Sequence, residues 1–219
     1  MRTLFLAALA ALAALAVLVP LAGCAVPYNV GQTARTTPKG VAVPSATFQY
    51  ASHDRLREPG DDDNPAFMLS NGVRLGLDER SDIGLRIVGV GAVVTYGRRL
   101  TGMPGTDAGT TLLAGGGILF GGGGHAHLEA SVVTSAASIG ELTPYGGVRA
   151  QYLGPFGNDN ENVFATGVFG GIRFGEPNLA IAPELGLFYS PTSGFGESDL
   201  VVVPSVTVRG SGLLRALGL

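Results

Sequence analysis

From about residue 45 onward the chain alternates apolar and polar residues at every second position, and it breaks that pattern repeatedly at Gly, Pro, Asn and Asp. A period of two places alternate side chains on opposite faces of an extended strand. No convincing helical period competes with it. In 66–79, Phe67, Leu69, Val73, Leu75 and Leu77 share one face, and Ser70, Arg74 and Asp78 share the other. In 82–98, Ile83, Leu85, Ile87 and Val93 oppose Arg86 and Arg98. Segment 142–154 sets Val148, Ala150 and Tyr152 against Arg149 and Gln151, and 178–190 sets Leu179, Ile181, Leu185, Leu187 and Tyr189 against Glu184. Segment 199–209 repeats this with Leu200, Val202, Val206 and Val208 against Ser205, Thr207 and Arg209. Weaker versions occupy 45–51 and 163–175, the latter carrying Arg173. The expected fold is all-β and antiparallel, an up-and-down barrel.

Alternation leaves open which face meets solvent. Charged residues are 14% of the chain, and Lys39 is the single lysine among 14 basic residues. A water-facing surface carries charge more densely, lysine included. About one arginine or acid per strand suits an enclosed, hydrogen-bonded interior, because guanidinium forks onto carboxylates. The apolar face is therefore expected to meet lipid, which makes the barrel transmembrane. The formal net charge of −3 offers no basic stripe for nucleic acid.

Connections between the alternating segments run long (52–65), short (79–81), long (99–110), short (137–141), long (155–162), short (176–177) and long (191–198). Outer-membrane barrels alternate this way. Eight strands are expected, with both chain ends on the short-turn, periplasmic side. Residues 110–136 carry glycine runs at 115–117 and 121–124. Read as one strand they keep Ile118, Phe120, Ala126, Leu128, Ala130 and Val132 on one face; a hairpin at Gly121–Gly124 raises the count to nine or ten. Phe67, Tyr96, Tyr152, Phe164, Phe174 and Tyr189 lie near segment ends, where aromatic girdles form.

This architecture, over about 44–209, resembles the small OmpA- and OmpX-like outer-membrane barrels. Those barrels usually end on an aromatic residue, whereas this chain continues through 210–219 as a tail ending at Leu219.

Residues 1–23 have a secretory layout, with Arg2 ahead of an apolar run from Leu4 to Val19. That run is too short to span a bilayer as a helix, so a signal helix is expected. Leu21-Ala22-Gly23-Cys24 resembles the bacterial lipobox. The resemblance implies cleavage before Cys24, a diacylglyceryl thioether on its sulfur, and an acylated N-terminus anchored in outer-membrane lipid. Residues 24–43 read as a flexible tether. With one cysteine, no intramolecular disulfide exists.

Arg74, Arg86, Arg149, Arg173 and Glu184 are the expected lumen charges, with Glu184 pairing an arginine. An eight-stranded interior is just wide enough for side chains to fill it, so a plugged lumen is expected. His125, His127 and Glu129 alternate on one polar face about 7 Å apart and are weak metal candidates; a hydrogen-bond cluster is the plainer reading. No catalytic residue is expected, a barrel hydrolase acting on envelope lipid being the remote alternative, and no cofactor beyond the acyl chains. Asp61-Asp62-Asp63-Asn64 lacks the alternate spacing of a calcium loop. The expected role is structural or interaction, with loops at 52–65, 99–117, 155–162 and 191–198 meeting an envelope or extracellular partner. The alternatives are a narrow channel or small-ligand transport barrel, and a tethered periplasmic lipocalin-like carrier.

Overall fold

Ten antiparallel strands close on themselves in the computed structural model, which describes residues 26–52, 66–120, 124–156, 162–176, 178–190 and 199–212. They are β1 (Ala42–Ala51), β2 (Ala66–Gly76), β3 (Ser81–Val88), β4 (Gly91–Thr101), β5 (Gly109–Leu119), β6 (His125–Ser135), β7 (Leu142–Pro155), β8 (Val163–Glu176), β9 (Leu179–Ser190) and β10 (Asp199–Arg209). Each strand pairs with its sequence neighbour, and β1 pairs with β10 to close the barrel. Closure leaves no free sheet edge.

The count corrects the expected eight strands to ten, and two hairpins account for the difference. The first turns on Gly89-Val90, with Val88 opposite Gly91. Gly89 has φ +53°, as the first central residue of a type II′ hairpin turn requires. Apolar residues flank this turn on both sides, so the alternation runs through it unbroken in sequence. In the fold Val93 lies opposite Arg86 and faces inward, fully buried, rather than sharing the outer face with Ile87. The second hairpin joins β5 to β6 across the glycine run at 121–124. Ile118 pairs with Ala126 and Gly116 with Leu128, so Ile118 and Leu128 keep one outer face although the segment is two strands.

These hairpins reassign the barrel ends. Connections 52–65, 89–90, 120–124, 156–162 and 191–198 lie at one end, here the loop end. Connections 77–80, 102–108, 136–141 and 177–178 lie at the other, the turn end. The 102–108 connection, expected among the outer loops, is therefore on the opposite end from them, and residues 109–117 belong to β5.

The outer face is apolar on every strand. One outward row runs through register-matched pairs from Leu112 near the turn end, by Val132, Val148, Val168 and Leu187, to Val202 near the loop end. Val148 is 53% exposed and Leu128 58%, with no covering layer. Outward aromatics concentrate at the loop end, where Phe67, Phe120, Tyr152, Phe156, Phe164 and Tyr189 are all exposed. The interior has two zones. An apolar cluster including Met68, Val93, Leu119, Leu153, Phe188 and Val201 fills the loop end; charged and hydroxyl side chains predominate in the middle and at the turn end, beside a second apolar cluster of Leu113, Val133, Tyr145, Phe169 and Ala182.

The largest departure from the sequence reading is at residues 26–38. Expected as a flexible tether, they are packed inside the barrel. Val26 and Tyr28 belong to the loop-end apolar cluster, and the Tyr28 ring lies 4.8 Å from that of Phe188. Thr36 and Thr37, ten residues on, bond the carbonyl of Glu79 and the carboxylate of Asp82 at the turn end. The chain then reverses at Gly40, whose φ of +72° suits glycine, and leads into β1. Cys24, the leader, the Asp61–Asn64 run and residues 213–219 lie outside the described residues.

Candidate functional site

An irregular segment inside a barrel carries backbone groups that no ladder satisfies, and leaving them bare is costly. Here lumen side chains supply the partners. Gln49 on β1 accepts from Asn29 N–H at 3.0 Å and donates to the Val26 carbonyl at 2.8 Å. Glu184 on β9 accepts from Val30 N–H and Gly31 N–H, both at 2.9 Å. Ser135 Oγ accepts from Ala34 N–H at 3.0 Å, while Arg99 and Thr111 donate to the Ala34 carbonyl at 3.1 and 2.6 Å. Arg149 and Arg86 donate to the carbonyls of Pro27 and Asn29 at 2.8 and 3.2 Å. The inner segment is thus held along its length by side chains from β1, β3, β4, β5, β6, β7 and β9.

Glu129 on β6 is the hub of the middle zone. It accepts from Arg149 at 2.5 Å, from Arg86 at 2.9 Å and from the Thr95 hydroxyl at 2.9 Å. One carboxylate thereby serves two guanidiniums, which also donate to carbonyls of the inner segment and, from Arg149, to Ser131 Oγ at 3.2 Å. Two further ion pairs lie toward the turn end. Arg74 bonds Asp82, and Arg173 grips Asp107 with both terminal nitrogens at 2.8 and 3.0 Å. Asp107 belongs to the 102–108 connection, which folds into the barrel mouth.

The sequence-predicted lumen residues Arg74, Arg86, Arg149, Arg173 and Glu184 all face the interior. Their pairing differs from expectation at Glu184, which among the described residues bonds no arginine and instead accepts from backbone N–H groups. Sequence reasoning placed Arg98 on the polar face, but Arg98 is exposed, 3.6 Å from Asp78 on the outside. Its neighbour Arg99, 2% exposed, takes the inward position because the Gly89-Val90 turn resets the alternation. Arg99 donates to the carbonyls of Thr106 and Ala108 at 2.8 and 2.6 Å, tying the 102–108 connection to the inner segment. Asp82, Asp107, Thr111 and Ser135 were also missed; Asp107 lies in a connection, where no strand pattern marks it.

His125, His127 and Glu129 are all buried on the inner face of β6 and do not form a metal centre. Glu129 is occupied by arginines, and His127 Nε2 is 3.8 Å from it. The Gln151 amide lies 3.2 Å from the same nitrogen; turned to donate there, it also reaches the Pro27 carbonyl at 3.3 Å and accepts from Arg149 Nε at 3.1 Å. Among the described residues no group of three or more His, Cys, Asp or Glu is placed to hold a metal ion.

No protein-family model matches the chain, and no curated protein matches it. Among solved structures, the chain is similar to Neisserial surface protein A at 17% identity, covering 77% of this chain and 94% of that one, with a TM-score of 0.33. It is also similar to the N-terminal β-barrel domain of Pseudomonas aeruginosa OprF, at 11% identity, 78% and 98% coverage and a TM-score of 0.30. A third is Ail, the attachment invasion locus protein of Yersinia pestis, solved in complex with the heparin analogue sucrose octasulfate, at 13% identity, 78% and 96% coverage and a TM-score of 0.30.

Proposed function

We propose that this chain is a lipid-anchored outer-membrane β-barrel protein whose lumen is plugged by its own N-terminal segment, and whose role is structural or interactive at the loop end. One observation carries the reading: the uncovered outer face is predominantly apolar on all ten strands, while the strand arginines other than Arg98 face inward with Asp82, Glu129 and Glu184. In water this arrangement is inverted; in a bilayer it is the favourable one.

The bonds to residues 26–37 and the apolar cluster that includes Val26 and Tyr28 support the plug. A channel is disfavoured because the inner segment occupies the path a solute would take. A soluble lipocalin-like carrier is disfavoured because its outside would expose the outward row of Val132, Val148 and Val168 to water. No catalytic role is assigned.

Acylation of Cys24 rests on the lipobox resemblance. Two peptide steps, about 7.6 Å of Cα path, separate Cys24 from Val26, and Val26 sits at the loop end. The loop-end aromatics lie at that same level, as an interfacial girdle does.

Planar-bilayer recording tests the closed lumen, and mass spectrometry of the mature N-terminus tests the anchor. The expected results are no steady conductance and a diacylglyceryl-modified Cys24. Stepwise conductance of the wild-type protein contradicts the plug, and an unmodified Cys24 in the outer-membrane fraction contradicts the anchor.

A further inference from the structure

We propose that the turn end of the lumen holds a binding site for a compact phosphate group, formed by Arg209, Arg35 and Arg173 with the hydroxyl of Thr37. These residues line a cavity of about 90 Å³ between the inner segment and the barrel wall, bordered at its mouth by Asn178 and Ser211. That is several times the roughly 10–15 Å³ one water needs, and enough for a compact anion.

The charges do not balance without such a group. Among the described residues, seven arginines belong to the interior: Arg35 on the inner segment and Arg74, Arg86, Arg99, Arg149, Arg173 and Arg209 on strands. They meet four carboxylates: Asp82, Asp107, Glu129 and Glu184. Glu129 serves Arg86 and Arg149, Asp82 serves Arg74, and Asp107 serves Arg173. Glu184 is spent on backbone N–H groups. Arg99 spends its terminal nitrogens on the carbonyls of Ala34, Thr106 and Ala108 and on the Thr106 hydroxyl. The side chains of Arg209 and Arg35 have no hydrogen bond or ion pair with any described residue, and both line the same cavity.

The polar donors around them are also unspent. Thr37 is 2% exposed, its N–H donates to Asp82 at 2.8 Å, and its Oγ1 has no partner. Arg173 uses its terminal nitrogens on Asp107 and Thr143, and its buried Nε has no partner. Arg74 and Arg173 both act on Arg209 as like charges, against the single nearby carboxylate of Asp82, and like charges repel more strongly in a medium less polarisable than water. A tetrahedral oxoanion relieves that repulsion and accepts from planar forks and a hydroxyl together, which chloride does less well. The cavity opens at the turn end, where the barrel meets water and lipid headgroups, so both free phosphate and a phospholipid headgroup present the required chemistry. The proposal rests on the interior alone and does not need the loop-end role.

The test is calorimetric titration of the full chain in non-ionic detergent, with inorganic phosphate in one arm and a short-chain phosphatidylglycerol in the other, at matched ionic strength in chloride. Saturable binding near one per chain is expected in at least one arm; binding in the phosphate arm alone assigns a soluble source, and in the phospholipid arm alone a headgroup. Arg209→Gln and Arg35→Gln, each removing a charged donor, should weaken it by about 10-fold or more. Arg209→Gln should also melt no lower than wild type without phosphate, since it removes an uncompensated charge. If Arg209→Gln fails to fold, Arg35→Gln carries the comparison. Absence of saturable binding to the wild type in both arms overturns the proposal, as does wild-type affinity in the folded variants.

Discussion

Gly31 and Glu184 lock the inner segment to the barrel wall: the Gly31 N–H donates to Glu184 Oε2 at 2.9 Å while Val30 donates to the other oxygen. The two strongest constraints on that segment meet here. Gly31 has φ +61°, and a Cβ built on it falls 2.1 Å from Thr207 Oγ1.

Glu184→Ala removes an acceptor from two N–H groups at once, one buried and one part-buried. With hydrogen bonds to charged groups worth about 1.5–3 kcal/mol each, the folded barrel should lose about 3 kcal/mol or more. Urea unfolding in detergent, followed by the unheated gel shift, measures it. A variant matching wild type would show that the contact holds nothing.

Gly31→Ala should destabilise for two separable reasons. The left-handed φ costs a non-glycine residue about 1–2 kcal/mol, and the clash with Thr207 adds to it. Thr207→Ala in the same chain removes the Oγ1 contact but leaves Cβ at 2.9 Å. The double variant should therefore recover part of the loss and not all of it, as judged by the same unfolding curve.

Glu129→Gln leaves Arg86 and Arg149 facing each other without a carboxylate. Breaking a buried pair this way costs about 3–5 kcal/mol. Combined with Arg149→Met the losses should fall short of additive by at least about 1 kcal/mol. Additive losses would show that the three residues do not act as one network.

Val148→Arg places a charge on the outer face midway along β7. In a bilayer an arginine at that depth costs about 2–4 kcal/mol. Ile139→Arg, in the 136–141 turn and 75% exposed, should cost close to nothing. Equal effects in reconstituted vesicles would place both residues in the same solvent.

The strand faces were legible in sequence because alternation is a local property: Leu85, Val148 and Leu185 point outward, and Arg149 and Arg173 inward. The strand count was not. A Gly-Val turn between apolar residues leaves the pattern intact while reversing the chain, so Val93 and Arg98 were assigned to the wrong faces and Arg99 was overlooked. The inner segment was hidden for a different reason. Residues 26–38 have no periodicity, and an aperiodic Pro- and Thr-containing stretch reads as a tether whether it is solvated or threaded. Only its partners distinguish the cases, and Gln49, Arg99, Ser135 and Glu184 lie far from it in sequence. The polar lumen residues were visible; that several of them serve a backbone and not one another was not.

The most direct measurement is gel migration, heated and unheated, of the Cys24→Ser variant, paired with its sedimentation in detergent-free buffer. An apolar outer face that requires hydrocarbon predicts a folded, heat-modifiable band in detergent and aggregation without it, even with no acyl chain attached. A Cys24→Ser protein that stays folded and monodisperse in plain buffer would contradict it.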